Sequence, residues 1–206
     1  MKVMLVNGSP RRQCTYTALE EIAKTLKEEG VDSEIIDIGK EPIEGCRACR
    51  YCKKEGRCII KGDIVEQIAA RIDEFDGFIF GSPVYYAGPS GQLQALMDRL
   101  FFSNAPKFRG KPGACIVSCR RGGATAAFDR LNKYFTIAEM PVISSQYWNQ
   151  VHGNTREEVL QDEEGLQTMR TLARNMAWML KCIEAGKEKG IVMPPREPWK
   201  PTNFIR

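Results

Sequence analysis

The sequence predicts a doubly wound α/β domain, an open parallel sheet with helices on both faces. Three observations carry this. Short apolar runs alternate with amphipathic helical segments along the chain. Glycine, proline or polar turns bound the runs. No internal repeat or second domain boundary interrupts the pattern. Strands that are apolar on both sides belong to sheets covered on both faces, and strand–helix–strand alternation makes such a sheet parallel.

The elements follow in order. Lys2 to Val6 is a continuous apolar strand that stops at Asn7-Gly8-Ser9-Pro10. Thr17 to Glu29 has helical spacing, with Leu19, Ile22, Ala23 and Leu26 on one face and Gly30 as the C-terminal stop. Asp32 to Ile38 is a second strand through Ile35, Ile36 and Ile38, and Gly45 to Ile60 is a cysteine-rich loop. Asp63 to Ile72 is helical, with Asp63 as the cap and Ile64, Ile68 and Ile72 in phase. Gly77 to Gly81 carries the buried run Phe78-Ile79-Phe80. The helix Gly91 to Phe102, the strand Ala114 to Ser118 and the helix Ala124 to Phe135 come next, then a short fifth strand at Pro141 to Ile143. Val159 to Glu184 is a long helix whose Leu166, Met169, Leu172, Met176, Met179 and Ile183 form one face, expected to be core or a dimer seam.

A chain of 206 residues suits one domain with an appendage, read as a domain over 1–190, with the cysteine-rich loop at 45–60, and a proline-rich tail over 191–206 that wraps the surface or a partner. Apolar content of 43% and charged content of 27% are ordinary for a globular protein. The net charge of +4, without a basic run of five, gives no sign of a nucleic-acid partner. Lys53, Lys54 and Arg57 are interrupted by Glu55 and read as a solvated loop. No stretch approaches the ~18 apolar residues of a membrane span, and the apolar start is too short for a signal peptide. The expectation is a cytoplasmic protein with no membrane partner. Eight cysteines in that setting argue against a disulfide framework, and four of them fall between positions 46 and 58.

Open parallel sheets bind ligands beyond the carboxyl ends of their strands. Three loops there are unusual. Gly8 to Thr17 follows the first strand and opens a helix. Its small and hydroxyl residues and backbone N–H groups can surround a phosphate, with Arg11 or Arg12 neutralising charge and the helix start adding positive potential. The plainer alternative is an ordinary turn capped by Thr15 or Thr17. Gly81 to Gly88 follows the third strand. Its Tyr85 and Tyr86, in a loop bounded by glycine and proline, can pack on a flat ring, or the tyrosines can be surface aromatics. Ser118 to Thr125 follows the fourth strand, with Arg120 and Arg121 suited to an anion and Gly122 and Gly123 allowing close backbone approach.

Cys46, Cys49, Cys52 and Cys58 have the spacing C-x2-C-x2-C-x5-C. Mononuclear zinc sites usually join two C-x2-C hooks across a longer segment, whereas three crowded cysteines plus one more suit a [4Fe–4S] cluster. Zinc and reduced thiols remain the alternatives. Arg47, Arg50, Lys53, Lys54 and Arg57 surround these cysteines with positive charge. Cys115 and Cys182 read as buried apolar residues, while Cys14 and Cys119 fall near the ligand edge. His152, the only histidine, is expected in a polar surface loop after the fifth strand; the sharper reading has Tyr147, Trp148 or His152 covering a neighbouring subunit's site.

Gly8-Ser9-Pro10-Arg11, Gly81-Ser82-Pro83-Val84-Tyr85 and the cysteine cluster resemble the NADPH-dependent FMN reductase family, and more closely its iron–sulfur flavoprotein branch. The resemblance covers residue 1 to about residue 185. It implies a five-stranded flavodoxin-like sheet of order 2-1-3-4-5, with FMN phosphate at Ser9, Arg11 and the Cys14 to Thr17 turn. It also implies an isoalloxazine ring on the Pro83 to Tyr86 and Ser118 to Gly123 loops. Gln13 and Cys14 stand where the family usually has glycine and asparagine. The resulting expectation is an FMN-dependent oxidoreductase passing electrons from NAD(P)H through FMN, rather than FAD, to a small-molecule or protein acceptor. No side-chain nucleophile or general base is expected to be essential, since the flavin carries the chemistry. With no Gly-x-Gly-x-x-Gly fingerprint, the nicotinamide is expected to stack on the flavin transiently. The rival readings are an iron–sulfur electron carrier exchanging electrons with ferredoxin, and a non-enzymatic metal-binding scaffold. A homodimer or homotetramer is expected from the apolar and aromatic surface.

Overall fold

The computed structural model describes residues 1–203, so the last three residues of the proline-rich tail lie outside it. Five parallel strands form the sheet among the described residues: β1 (Lys2–Asn7), β2 (Asp32–Asp37), β3 (Gly77–Tyr85), β5 (Gly113–Cys119) and β6 (Gln150–His152). They lie in the order β2-β1-β3-β5-β6, and a two-residue strand β4 (Gly88–Pro89) folds back antiparallel on the end of β3. With that hairpin set aside, the order is the expected 2-1-3-4-5.

The period of two in the strands divides the core into two layers. Val3 and Leu5 of β1 face α1 (Cys14–Glu28) and α7 (Glu163–Glu188), joined by Ile79 and Ile116. Met4 and Val6 face α3 (Ile64–Arg71), α4 (Gly91–Phe108) and α5 (Ala124–Ile137), joined by Phe78, Phe80 and Val117. Met169, Leu172, Met176 and Leu180 of α7 are therefore spent inside the chain against α1, while Met179 and Ile183 of the predicted face stay half-buried. The predicted long helix is two: α6 (Arg156–Val159) and α7, with Asp162 capping the second through Gly165 N–H at 3.0 Å.

The fifth strand departs from expectation. Val142 makes an isolated bridge to Gly113, the chain leaves the edge over 144–149, and it returns as β6 beside Val117 to Cys119. The buried Asn149 explains the break. Its amide donates to the Cys115 carbonyl at 3.1 Å, taking the place of the missing strand neighbour. His152 consequently ends the edge strand instead of lying in a loop beyond it. Cys115 is buried as expected; Cys182 is exposed, because it falls on the outer face of α7. The cysteine-rich segment holds one short helix, α2 (Tyr51–Glu55), with Lys53 over the Phe102 ring at 4.5 Å. The tail returns to the domain surface, where Arg109 donates to Pro194 O at 2.7 Å and Arg196 pairs with Glu139 at 2.5 Å.

Candidate functional site

The ends of β1, β3 and β5 bring the three predicted loops onto one edge of the sheet. Hydrogen bonds fasten them together. Gly8 N–H donates to Gly81 O at 2.8 Å, and a Cβ on Gly8 would sit 2.6 Å from that carbonyl, so the approach of the first two loops requires glycine. Ser90 donates to Gly8 O at 2.7 Å and receives Leu93 N–H, capping α4, while Ser90 N–H donates to Ser82 Oγ at 2.9 Å. Thr15 and Ser118, both buried, share a hydrogen bond at 2.8 Å between the first and third loops. Gly123 has φ 93°, and a Cβ there would lie 2.8 Å from Ala87 Cα, so the third loop presses against the β3–β4 hairpin.

The first loop is built around Asn7, buried at the end of β1. Its amide donates to Asp37 at 2.7 Å and Ser9 O at 3.3 Å, and its carbonyl accepts Ser9 N–H at 3.2 Å. Ser9 Oγ accepts Arg11 N–H at 3.2 Å. Arg12 is held by Asp37 at 2.7 Å and lies over the Tyr16 ring, whereas Arg11 is exposed and makes no ion pair among the described residues. Neither Thr15 nor Thr17 caps α1: Thr15 is taken by Ser118, and Thr17 donates backwards to Gln13 O at 3.1 Å. Among the described residues α1 starts without a side-chain cap and without an acid in its first turn, and α5 starts the same way. By contrast α3, α6 and α7 are capped by Asp63, Thr155 and Asp162. An open helix start beside an unpaired arginine is a donor set for an anion.

Tyr85 and Tyr86 are exposed at the hairpin, Pro83 and Val84 half-buried behind them, and Arg120, Arg121 and Gly122 exposed on the third loop. Tyr86 and Ala87 have φ of 49° and 59°, a left-handed pair at the tip of a two-residue turn. Cys14 turns away from the loop toward Gly153 O at 3.5 Å, and burial pushes its thiol pKa up. Cys119 lies 3.4 Å from His152 Nδ1, and burial likewise raises its thiol pKa. Asp162 receives His152 N–H at 2.6 Å and fixes β6 to α7. Asn7 and Ser82, which the motifs contain without a role, and Asp37 and Ser90, which lie outside them, organise this edge. The signal for Asn7 was its place before Gly8-Ser9-Pro10, and for Ser90 its place before Gly91.

The four cysteines lie together. Cys46, Cys49, Cys52 and Cys58 line one cavity of about 20 Å³ with Arg99 and Phe102. Cys46 and Cys49 are exposed, Cys52 and Cys58 half-buried. Burial raises the Cys52 thiol pKa, with Lys53 pulling the other way. Among the described residues no three His, Cys, Asp or Glu side chains close on a single metal-ion position. A zinc ion needs each of its sulfurs at about 2.3 Å, whereas a cube of four irons takes one thiolate at each corner iron. Four thiols around one cavity, with arginines and no carboxylate in its wall, fit an iron–sulfur cluster as a donor set. Arg99, on α4, is the residue that sequence reading missed here. Its side chain is fully buried and pairs with Asp63.

The strand order and the layering of helices define the class: a flavodoxin-like fold. A flavodoxin from the domain Archaea superposes with a TM-score of 0.61 at 19% identity, over 88% of this chain and 99% of the other. The family is narrower. A model of the NADPH-dependent FMN reductase family matches residues 1–155, and the chain belongs to that family of FMN-dependent oxidoreductases. An iron-sulfur flavoprotein of Methanocaldococcus jannaschii is 33% identical over 197 residues, covering 89% of this chain and all of the relative. An iron-sulfur flavoprotein of Archaeoglobus fulgidus is 32% identical over 193 residues, covering 87% and 97%. Among the described residues no helix is long and apolar enough to cross a membrane.

Proposed function

We propose that this chain holds FMN at the shared edge of its three loops and passes electrons from a reduced nicotinamide to an acceptor. The carrying observation is the uncapped start of α1 beside the unpaired Arg11. Bound there, FMN supplies hydride acceptance and both one- and two-electron transfer. The first loop binds: α1 N–H groups and Arg11 take the terminal phosphate, and Ser9 keeps the Arg11 backbone turned inward. The second and third loops orient: the Pro83 to Tyr86 hairpin and the Ser118 to Gly123 turn give the ring a rigid bed. The exposed tyrosines leave room on the outer face for a nicotinamide or small acceptor. The purified protein is expected to be yellow, to release FMN on heating, and to bleach rapidly with NADPH under argon. Stoichiometric FAD, or a colourless protein that FMN does not restore, would refute the reading.

A second reading is favoured by one observation, the four cysteines lining a single cavity. They hold a [4Fe–4S] cluster, and the protein relays single electrons between a ferredoxin-type partner and its flavin. The Tyr147–Trp148 pair and Trp178 on α7 remain exposed. Loop 144–149 is tied to the same side of α7, where Asn175 donates to Ser144 O at 2.8 Å. These aromatics form the contact face of a homo-oligomer.

A further inference from the structure

Arg99 spends all five guanidinium donors on the cysteine segment and its flank. Nε donates to Cys58 Sγ at 3.4 Å, Nη1 to Glu44 O at 3.2 Å, and Nη2 to Ile60 O at 3.2 Å. The two remaining donors go to Asp63, one of them at 3.2 Å. Glu44 precedes the first cysteine and Ile60 follows the last, so one side chain closes both ends of the segment onto α4. A fully buried guanidinium is costly unless each donor is satisfied, and here each is. Among the four cysteines the hydrogen bond singles out Cys58.

We infer that Arg99 is a positioning residue that sets the reduction potential of the cluster held by Cys46, Cys49, Cys52 and Cys58. This rests on the iron–sulfur reading above. A cluster held there would gain one unit of negative charge for each electron taken up, beside the fixed cation of Arg99. A charged N–H donor to a ligand sulfur favours the reduced state. Asp63 opposes it, because its carboxylate neutralises the same guanidinium from the other side. The two residues therefore act on the potential with opposite sign.

The test uses the full-length, FMN-loaded protein reconstituted anaerobically as wild type, Arg99→Gln, Arg99→Lys and Asp63→Asn. Iron, sulfide and FMN are measured in each, and the midpoint is read by redox titration followed by electron paramagnetic resonance. Arg99→Gln is expected to lower the midpoint by at least about 59 mV, a tenfold shift in a one-electron equilibrium. Arg99→Lys is expected to fall between it and wild type. Asp63→Asn, whose amide still caps α3, is expected to raise the midpoint. Damage to the loop alone would not move the two in opposite directions. Where Arg99→Gln fails to fold, Arg99→Lys below and Asp63→Asn above wild type carry the same result. Where Arg99→Gln loses its iron, the midpoints of Arg99→Lys and Asp63→Asn, on opposite sides of wild type, decide the assignment. Full clusters at the wild-type midpoint in the Arg99 variants overturn it and leave the iron–sulfur reading standing. Wild-type protein with full FMN and neither iron nor sulfide removes that reading, and this inference with it.

Discussion

Arg11 and Arg12 are adjacent and chemically identical, yet the fold gives them different work. Asp37 holds Arg12, and with it the end of β2, while Arg11 faces solvent at an open helix start. A charge-assisted hydrogen bond contributes roughly 1.5–3 kcal/mol, which is about one to two decades in affinity. Arg11→Ala combined with Ser9→Ala is therefore expected to raise the dissociation constant for FMN at least ~10-fold, measured by fluorescence quenching on adding FMN to the apoprotein. Arg12→Ala is expected to act less on affinity and more on stability, since its loss leaves Asp37 with Asn7 alone. Equal losses of affinity in both would mean that the phosphate does not discriminate between them.

The β3–β4 hairpin is an element whose sequence disagrees with its geometry. A two-residue turn with positive φ at both centres prefers Asn-Gly, and this chain places Tyr86-Ala87 there. Left-handed backbone costs an ordinary residue roughly 1–2 kcal/mol. Replacing the pair with Asn-Gly is expected to raise stability by about 1 kcal/mol or more in urea unfolding, and to weaken FMN binding through loss of Tyr86. An unchanged midpoint would show that the turn carries no strain. The other edge of the sheet offers a pH test. Arg71 first, then Lys2, hold the Glu34 carboxyl down to about 2, tying β2 to α3 and β1. Its folded value lies below its ordinary one, so the stabilisation is present above pH ~4.5 and lost as pH falls toward 2. The melting temperature of Glu34→Gln should lie below wild type at pH 6 and meet it near pH 2. The gap should be no more than about 2–4 °C, because the side chain is 35% exposed and water screens the pairs.

At the scale of the whole molecule, most of the apolar face of α7 is buried within the chain, and the proposed association is assigned to the aromatics left outside. Tyr147 and Trp148 are each about half exposed and Trp178 is 63% exposed. Light scattering at micromolar concentration is expected to give a multiple of 23.3 kDa, and Trp148→Ala with Trp178→Ala to shift it toward the single chain. A wild-type monomer would remove the oligomer proposal and leave the flavin site untouched.

The sequence by itself determined the layered sheet, because that depends on local periodicity. Val3, Leu5 and Ile79 could have been assigned to a two-sided strand with no partner in view. It also marked the three loops and the cysteine cluster, since glycine, proline and crowded thiols announce themselves within a few residues. It resolved the start of α3, where Asp63 stands at the cap, but not the fifth strand, where the Asn149 amide does the work of a backbone neighbour. The tertiary structure alone decided which groups were spent and which were left. Thr15 turns from a cap into a partner of Ser118, 103 residues away, and so leaves the start of α1 open. Arg99 looks in sequence like one charge on an amphipathic helix; burial beside Asp63 and Cys58 makes it the clasp of the cysteine segment. Hydrogen bonds between distant residues have no period and no spacing, so pattern cannot reveal them, and the availability of a donor or a charge becomes visible once its long-range partners are in place.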